Sequence, residues 1–345
     1  KTGIQSFQIV TGTLDPGFRR GDDFLRDCQY SPTNILEEFM NILIVGPGAM
    51  GCLFAARLKK AGYDVTLLDY LTERAQIINK QGIMVEGVTG NFFVHVPTVA
   101  GAISSQPDFI IICVKAYKTR EACQSIQPWV TPEASVITLQ NGIGNLEILE
   151  EIFGKQRVYG GVTAEGATLL GYGKIRHAGQ GDTIIGPTRD PHSHLNNIIT
   201  AFQKAGFNTR SADNVDDLIW GKLIVNVGIN ALTAVTHLKN GRLPQLDGTR
   251  QIMEEMVQEA VAVAKAKGIH LPYPDPLGRV IQVCENTAGN IASMLQDVLS
   301  QKTTEIDFIN GAIVQEGKKH GVPTPVNETL TLLVKSIQET YLERI

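Results

Sequence analysis

The sequence has few of the residues that build disulfides, metal centres and nucleic-acid surfaces. Its five cysteines (Cys28, Cys52, Cys113, Cys123, Cys284) are scattered, odd in number and never spaced C-x-x-C. That pattern excludes a disulfide framework and reads as reduced thiols in a cytoplasmic protein. The seven histidines form no H-x-x-x-H or similar cluster, so no metal site is expected. A formal net charge of −4 offers no footprint for nucleic acid or an anionic membrane. No apolar stretch is expected to reach the roughly 18–20 residues of a membrane span. Residues 1–39 carry no continuous apolar run of the kind a secretory leader needs. Internal repeats and low-complexity tracts are absent as well. What remains is 43% hydrophobic and 19% charged residues, an ordinary globular balance. A length of 345 residues allows a large core and, on the usual prior, about two domains.

The most informative stretch is Met40 to Asp69, MNILIVGPGAMGCLFAARLKKAGYDVTLLD. Ile42 to Val45 is a short apolar run suited to a parallel strand buried on both faces. Gly46-Pro47-Gly48-Ala49-Met50-Gly51 follows and fits G-x-G-x-x-G. Gly46 permits the tight turn, Gly48 lets a pyrophosphate approach the backbone, and Gly51 lets the next helix pack on the strand. That helix, Ala49 to roughly Ala61, points its free amides and positive dipole end at phosphate. Val65 to Leu68 forms the second strand. Asp69 closes it, placed to hydrogen-bond an adenosine ribose. Strand, turn, helix, strand and acid in this order predict dinucleotide binding.

Residues 1–39 form a polar, turn-rich stretch without sustained period, and Met40 stands directly before the first strand. The expectation is an N-terminal extension outside the fold. Residues 40–212 are expected to form a Rossmann-like domain and 213–345 an all-helical domain. In the first, helices are predicted over 71–81, 121–130, 146–153 and 195–205. Strands are predicted over 108–114, 135–139, 158–163, 174–178, 182–186 and within 207–213. A hairpin is predicted in 82–98, and glycine-rich turns link the strands after 163. Lys115 and Asn141 end strands where open α/β sheets bind ligands, so both would line the cofactor crevice. In the second domain, helices are predicted over 216–237, 254–267, 277–299, 305–320 and 327–342.

Helix 216–237 carries Lys222, Asn226 and Asn230 in apolar surroundings. Spacings of i, i+4 and i+8 keep them within about 80° on one face. Buried polar groups need partners. Either they bond within the protein or they meet a polar ligand. Hydride transfer to a carbonyl leaves negative charge on oxygen, which an ammonium stabilises and protonates. Helix 277–299 would carry a second stripe: Asn286, Asn290, Ser293 and Asp297.

At these residues the chain resembles the ketopantoate reductase (2-dehydropantoate 2-reductase) family. The resemblance runs from Met40 to about Leu330. It rests on GPGAMG at 46–51, VKAY at 114–117, QNGIGN at 140–145, WGKLIVNVGINALTA at 220–234, SMLQD at 293–297, TEIDFINGAIV at 304–314 and GVPTPVN at 321–327. It implies NADPH-dependent reduction of 2-dehydropantoate to (R)-pantoate, on the route to pantothenate and coenzyme A. By motif it implies Lys222 as general acid and Asn226, Asn230, Asn240 and Ser293 as substrate ligands. Glu305 would orient substrate and cofactor, and Lys115 and Asn141 would lie beside the nicotinamide half. The family commonly has an arginine at the end of the second strand. Asp69 there favours the free 2′-OH of NAD(H), whereas Arg74, one turn on, could serve the 2′-phosphate of NADP(H). The expected partner is a small 2-oxoacid, and a homodimer is compatible with the sequence. Two other readings stand beside this one: a reductase of another 2-oxoacid on the same plan, and a non-catalytic NAD(P)-sensing protein.

Overall fold

The computed structural model describes residues 40–187 and 194–343, so the expected extension 1–39 lies outside them. The chain opens with β1 (Asn41–Val45), α1 (Ala49–Lys60), β2 (Asp64–Asp69) and α2 (Thr72–Gln81). It continues with β3 (Ile83–Gly87), β4 (Phe92–Val94), β5 (Thr98–Ala100) and β6 (Phe109–Ile112). Then come α3 (Thr119–Ile126), β7 (Ser135–Thr138), α4 (Asn145–Phe153), β8 (Val158–Thr163), β9 (Gly166–Gly171) and β10 (Lys174–Gly179). β11 (Thr183–Pro187), α5 (Leu195–Lys204) and β12 (Thr209–Ser211) complete the sheet region. After it the chain is helical: α6 (Asp216–Thr236), α7 (Asp247–Lys267), α8 (Pro276–Asn286), α9 (Ser293–Leu299), α10 (Asn310–His320) and α11 (Pro325–Glu339). The fold class is therefore mixed α/β, a Rossmann-like sheet domain followed by a helical one.

The main sheet has the order β12-β11-β8-β7-β6-β1-β2-β5. All its neighbours pair in parallel except β8 and β11. β2 lies on one side of β1 and β6 on the other. The strand order reverses there, at the point where such sheets open a ligand crevice. The strand residues alternate between two apolar layers. Ile42 and Ile44 join the core under α1 and α5, with Phe54, Phe202 and Phe207 packed edge to face. Leu43 and Val45 join the opposite core, under α3 and α4. Burial on both faces explains the continuous apolar runs.

A second sheet, β4-β3-β10-β9, lies over α1. Its β3–β4 pair is the hairpin expected in 82–98. The stretch after Thr163 was expected to turn, yet Gly166–Gly171 is a strand antiparallel to β10. Its glycines sit at the strand ends, and the turn itself is confined to the next two residues, with Gly173 at φ +69°.

The helical half departs from expectation at four places. The single helix expected over 277–299 is two, α8 and α9, so Asn286, Asn290, Ser293 and Asp297 do not share one stripe. The amides of Asn240 and Gly241 dock on the carbonyls of Asn290 and Ala288, which removes those carbonyls from a continuous helix. The helix expected from Glu305 begins only at Asn310, after a separate 3-10 turn over Ile306–Phe308. α7 starts at Asp247 rather than 254; its first residues, Asp247–Gln251, carry no apolar side chain, so the apolar period does not mark that start. α6, contrary to the sequence expectation, is long and apolar enough to cross a membrane; 67% of its most apolar window is buried inside the fold, as in a core helix. No group of acidic, histidine or cysteine side chains among the described residues is arranged to hold a metal ion.

Candidate active site

The turn after β1 is shaped by close approaches. Gly46 holds φ +106°, and a Cβ there would lie 2.9 Å from the Val114 amide. A Cβ on Gly51 would collide with the Gly46 carbonyl, so helix and turn touch backbone to backbone. Gly48 differs: a Cβ there would meet only the Cys113 carbonyl, at 3.9 Å. The protein does not itself need glycine at that position. The open space over Gly48 is what a pyrophosphate requires. α1 begins at Ala49 with no acidic residue in its first turn and no capping side chain. Pro47, Ala49 and Met50 complete the turn. These residues fit a dinucleotide phosphate group.

Asp69 ends β2 with its carboxylate fully buried, at 0% exposure. Arg74, in the first turn of α2, holds it through two bonds, Nε to Oδ2 at 2.5 Å and Nη2 to Oδ1 at 2.6 Å. The Leu71 amide adds a third at 3.1 Å. Arg74 is 19% exposed, and its guanidinium lies 5.4 Å from the Tyr70 ring. The two residues singled out for opposite cofactor choices are thus one neutral, bidentate pair.

Lys115 follows β6, and Ala116 begins the next turn. Lys115 Nζ donates to Asp297 Oδ2 at 2.6 Å and lies 3.6 Å from Glu305 Oε2. Glu305 Oε1 accepts the Ala116 amide at 2.9 Å. Burial alone would lower the Lys115 pKa; Glu305 and Asp297 outweigh it and raise the net value. The loop after β7 is tied to the same place. Gln140 Nε2 donates to the Val114 carbonyl at 2.6 Å and to Thr119 Oγ1 at 2.9 Å. Asn141 gives its carbonyl to Asn145 Nδ2 at 3.1 Å. Gly142, at φ +82°, lies against the Phe308 carbonyl, which also accepts the Ile143 amide at 3.1 Å. The 3-10 turn that follows Glu305 is therefore seated on the crevice loop.

Lys222 projects from α6 and donates from Nζ to the Thr163 carbonyl at 2.8 Å, at the end of β8. Burial pushes its pKa down to about 8; the Glu305 carboxylate opposes this more weakly. Asn226 Nδ2 is buried with no protein partner, and so is Asn240 Oδ1. Asn240 Nδ2 donates to Thr287 Oγ1 at 2.9 Å, which places Asn240 against the α8–α9 turn. Asn230 is buried at 5% exposure, while Ser293 opens α9 on an exposed surface.

The structure brings Lys115 to Glu305 and sets Glu305 within electrostatic reach of Lys222. Asn286 stays apart, exposed at the end of α8. Three contributors were not assigned to the site in sequence: Asp297, the Thr163 carbonyl and Gln140. Asp297 stands four residues after Ser293, on the same helical face, which was a usable signal. Nothing in the sequence marks a carbonyl as the partner of a lysine 59 residues away.

A phosphate turn joined through Val114, Lys115 and Glu305 to a lysine of depressed pKa is the equipment of a Rossmann-type oxidoreductase. The chain belongs to the ketopantoate reductase PanE/ApbA family: the family profile matches residues 42–190 and its C-terminal profile residues 214–338. A 2-dehydropantoate 2-reductase of Pyrococcus horikoshii is 36% identical over 298 residues, 86% of this chain and 97% of that protein. One from Halobacterium salinarum is 33% identical over 87% of this chain and 99% of that protein. Among solved structures, a ternary complex of D-mandelate dehydrogenase with NADH and anilino(oxo)acetate superposes with a TM-score of 0.81 at 30% identity, covering 87% of this chain and 99% of that one. A PanE/ApbA family ketopantoate reductase from Ralstonia eutropha JMP134 gives 0.78 at 33% identity over 88% and 100%.

Proposed function

We propose that this chain is a pyridine-nucleotide-dependent 2-dehydropantoate 2-reductase with Lys222 as proton donor. Residues 40–212 bind the cofactor in this reading, and 213–345 supply the proton and most substrate contacts. The observation that carries it is Lys222, held by one carbonyl and lowered to about 8, beside a Glu305 that also binds the crevice amide of Ala116. The nicotinamide, when bound, supplies the hydride to the C2 carbonyl carbon of the substrate. Lys222 holds a proton at Nζ. The Thr163 carbonyl takes one of its N–H groups and leaves two for the substrate oxygen. Charge growing on that oxygen draws the proton from Nζ and is stabilised by the ammonium. Asn226 Nδ2, a donor without a partner, suits a substrate oxygen. Asn240 Oδ1, an acceptor without one, suits a substrate hydroxyl. Asn230 and Ser293 complete the substrate contacts, and Lys115 and Asn141 face the nicotinamide side.

For the cofactor, the Asp69–Arg74 pair favours NADH. Arg74 is engaged with Asp69 through two bonds, so a 2′-phosphate would have to break them beside a carboxylate. A free ribose hydroxyl needs no such exchange. The D-mandelate dehydrogenase complexes contain NADH, which supports the same side.

The experiment is parallel oxidation of NADH and NADPH with 2-dehydropantoate. We expect turnover with both and a higher kcat/KM for NADH. Asp69→Ser, which frees Arg74, should move the ratio toward NADPH by at least about 10-fold, the worth of one charge contact. Turnover of a phenyl-substituted 2-oxoacid and none of 2-dehydropantoate would transfer the reading to another 2-oxoacid, in line with the D-mandelate dehydrogenase likeness.

A further inference from the structure

A buried pair outside this site joins the end of β8 to the second sheet. His177 of β10 is 0% exposed in its side chain and Glu165, just past β8, 1%. His177 Nε2 meets Glu165 Oε2 at 2.5 Å, and Thr89 Oγ1 meets Nδ1 at 2.8 Å. A neutral imidazole satisfies every atom when the Thr89 hydroxyl donates to Nδ1 and Nε2–H donates to the carboxylate. Arg57 of α1, which donates from Nε to the Ala205 carbonyl at 2.9 Å and lies over the Phe207 ring, is within electrostatic reach of Glu165. The proposed reaction uses none of these groups. Burying such a set costs free energy that apolar side chains would not cost.

Its position suggests what it does. Glu165 is two residues from Thr163, whose carbonyl holds Lys222. β7 pairs with β8 only as far as Thr138–Gly160, so the Thr163 carbonyl lies beyond that ladder. The segment is clasped from the other side. The Ala164 amide donates to the Asp182 carbonyl at 2.8 Å, and Thr163 Oγ1 meets Thr183 Oγ1 at 2.9 Å. The Glu165 amide donates to Thr163 Oγ1 at 3.1 Å. Glu165 then crosses to the second sheet through His177. His177 is itself tied to the β3–β4 turn, where its carbonyl accepts the Val88 amide at 3.0 Å.

We propose that Glu165 and His177 are positioning residues for Lys222: their buried pair anchors the chain after β8 to the second sheet and so fixes where the Thr163 carbonyl aims the ammonium. This rests on the reading of Lys222 as proton donor. It gives the second sheet, which lies outside the phosphate turn, a part in the chemistry. A general acid must be held to within a fraction of an ångström. A carbonyl at a strand end is rigid only if the residues after it are held.

The test compares Glu165→Ala, Glu165→Gln and the unmodified chain. We expect Glu165→Ala to lower kcat at least about 10-fold, as a misplaced acid does, with the KM for nucleotide within about 2-fold. The high-pH limb of kcat should move up as Lys222 gains water. Glu165→Gln, whose amide oxygen still accepts from Nε2–H, should recover most of kcat and the original limb. If Glu165→Ala does not fold, Glu165→Asp keeps the charge, shortens the arm by one methylene and serves the same comparison. A folded variant with lower Tm but unchanged kcat and pH limb would overturn the proposal. If the unmodified chain turns over no 2-oxoacid, the functional reading fails separately. The Lys222 titration, followed by ¹³Cε shift in lysine-labelled protein and assigned with Lys222→Arg, then decides the positioning alone. It moves in Glu165→Ala if the pair aims Lys222 and stays if it does not.

Discussion

The sheet-side and helix-side ends of the site each present a lysine, and the two live in opposite surroundings. Lys115 bonds Asp297 at 2.6 Å and has Glu305 at 3.6 Å, and its pKa is raised. Lys222 has one carbonyl for a partner, and burial takes it down to about 8. An ammonium matched by two carboxylates keeps its proton and works as a fixed charge. An ammonium matched by a carbonyl gives its proton up near neutrality. The same side chain is made structural or reactive by what stands within about 4 Å of it.

The largest effect expected is on Lys222→Met. Its kcat should fall about 10²–10⁴-fold, the usual range for a positioned acid, with nucleotide binding retained in a fluorescence titration. The same variant should unfold at higher temperature near pH 7. Lys222 binds its proton less tightly folded than unfolded, so below about pH 8 its burial costs stability, and the cost fades as pH rises toward 10.5. The Tm advantage should shrink over that window, and a constant one would contradict the lowered pKa.

Glu305→Gln touches both lysines and is expected to cost about 10²-fold in kcat. Losing the carboxylate lowers the Lys222 pKa further, so the alkaline limb of the rate profile should move below pH 8. Lys115 keeps Asp297, so nucleotide affinity should change less than turnover.

With Lys222 as the proposed proton donor, reduction in the unmodified chain requires it protonated. Its kcat should be flat below about pH 8 and fall toward tenfold per pH unit above it. Asp297→Asn should have the smallest effect, a few-fold rise in the KM for nucleotide, since a partly exposed ion pair is worth about 1 kcal/mol or less. It reaches Lys115 alone, so the alkaline limb should stay in place. A moved limb would mean that the two lysines are coupled more tightly than their partners indicate.

Local features were readable in one dimension wherever local physics decides them. The turn at Gly46–Gly51 is legible because its glycines, strand and helix are contiguous in sequence, although only Gly51 meets its own unit and Gly46 meets Val114 after β6. Apolar runs such as Phe109–Ile112 follow from burial on both faces. The polar stripe on α6 follows from the helical period. Readings failed where a distant segment competes for backbone groups. Residues 277–299 have a helical pattern, yet the amides of Asn240 and Gly241 dock on carbonyls at 290 and 288. The helix expected from Glu305 is interrupted because the Phe308 carbonyl accepts the Ile143 amide. β9 was hidden because its glycines resemble turn residues and its partner lies in a second sheet.

The sequence alone determined the α/β class, the phosphate turn and the presence of a lysine and amides on one helical face. Each rests on spacing within about 20 residues. The tertiary structure decided the rest: that Asp69 and Arg74 neutralise one another, that Asp297 and Glu305 share Lys115, and that a strand-end carbonyl is the partner of Lys222. These are pairings of charges and backbone groups across the fold. Their energies depend on distance and burial, which spacing along the chain does not carry.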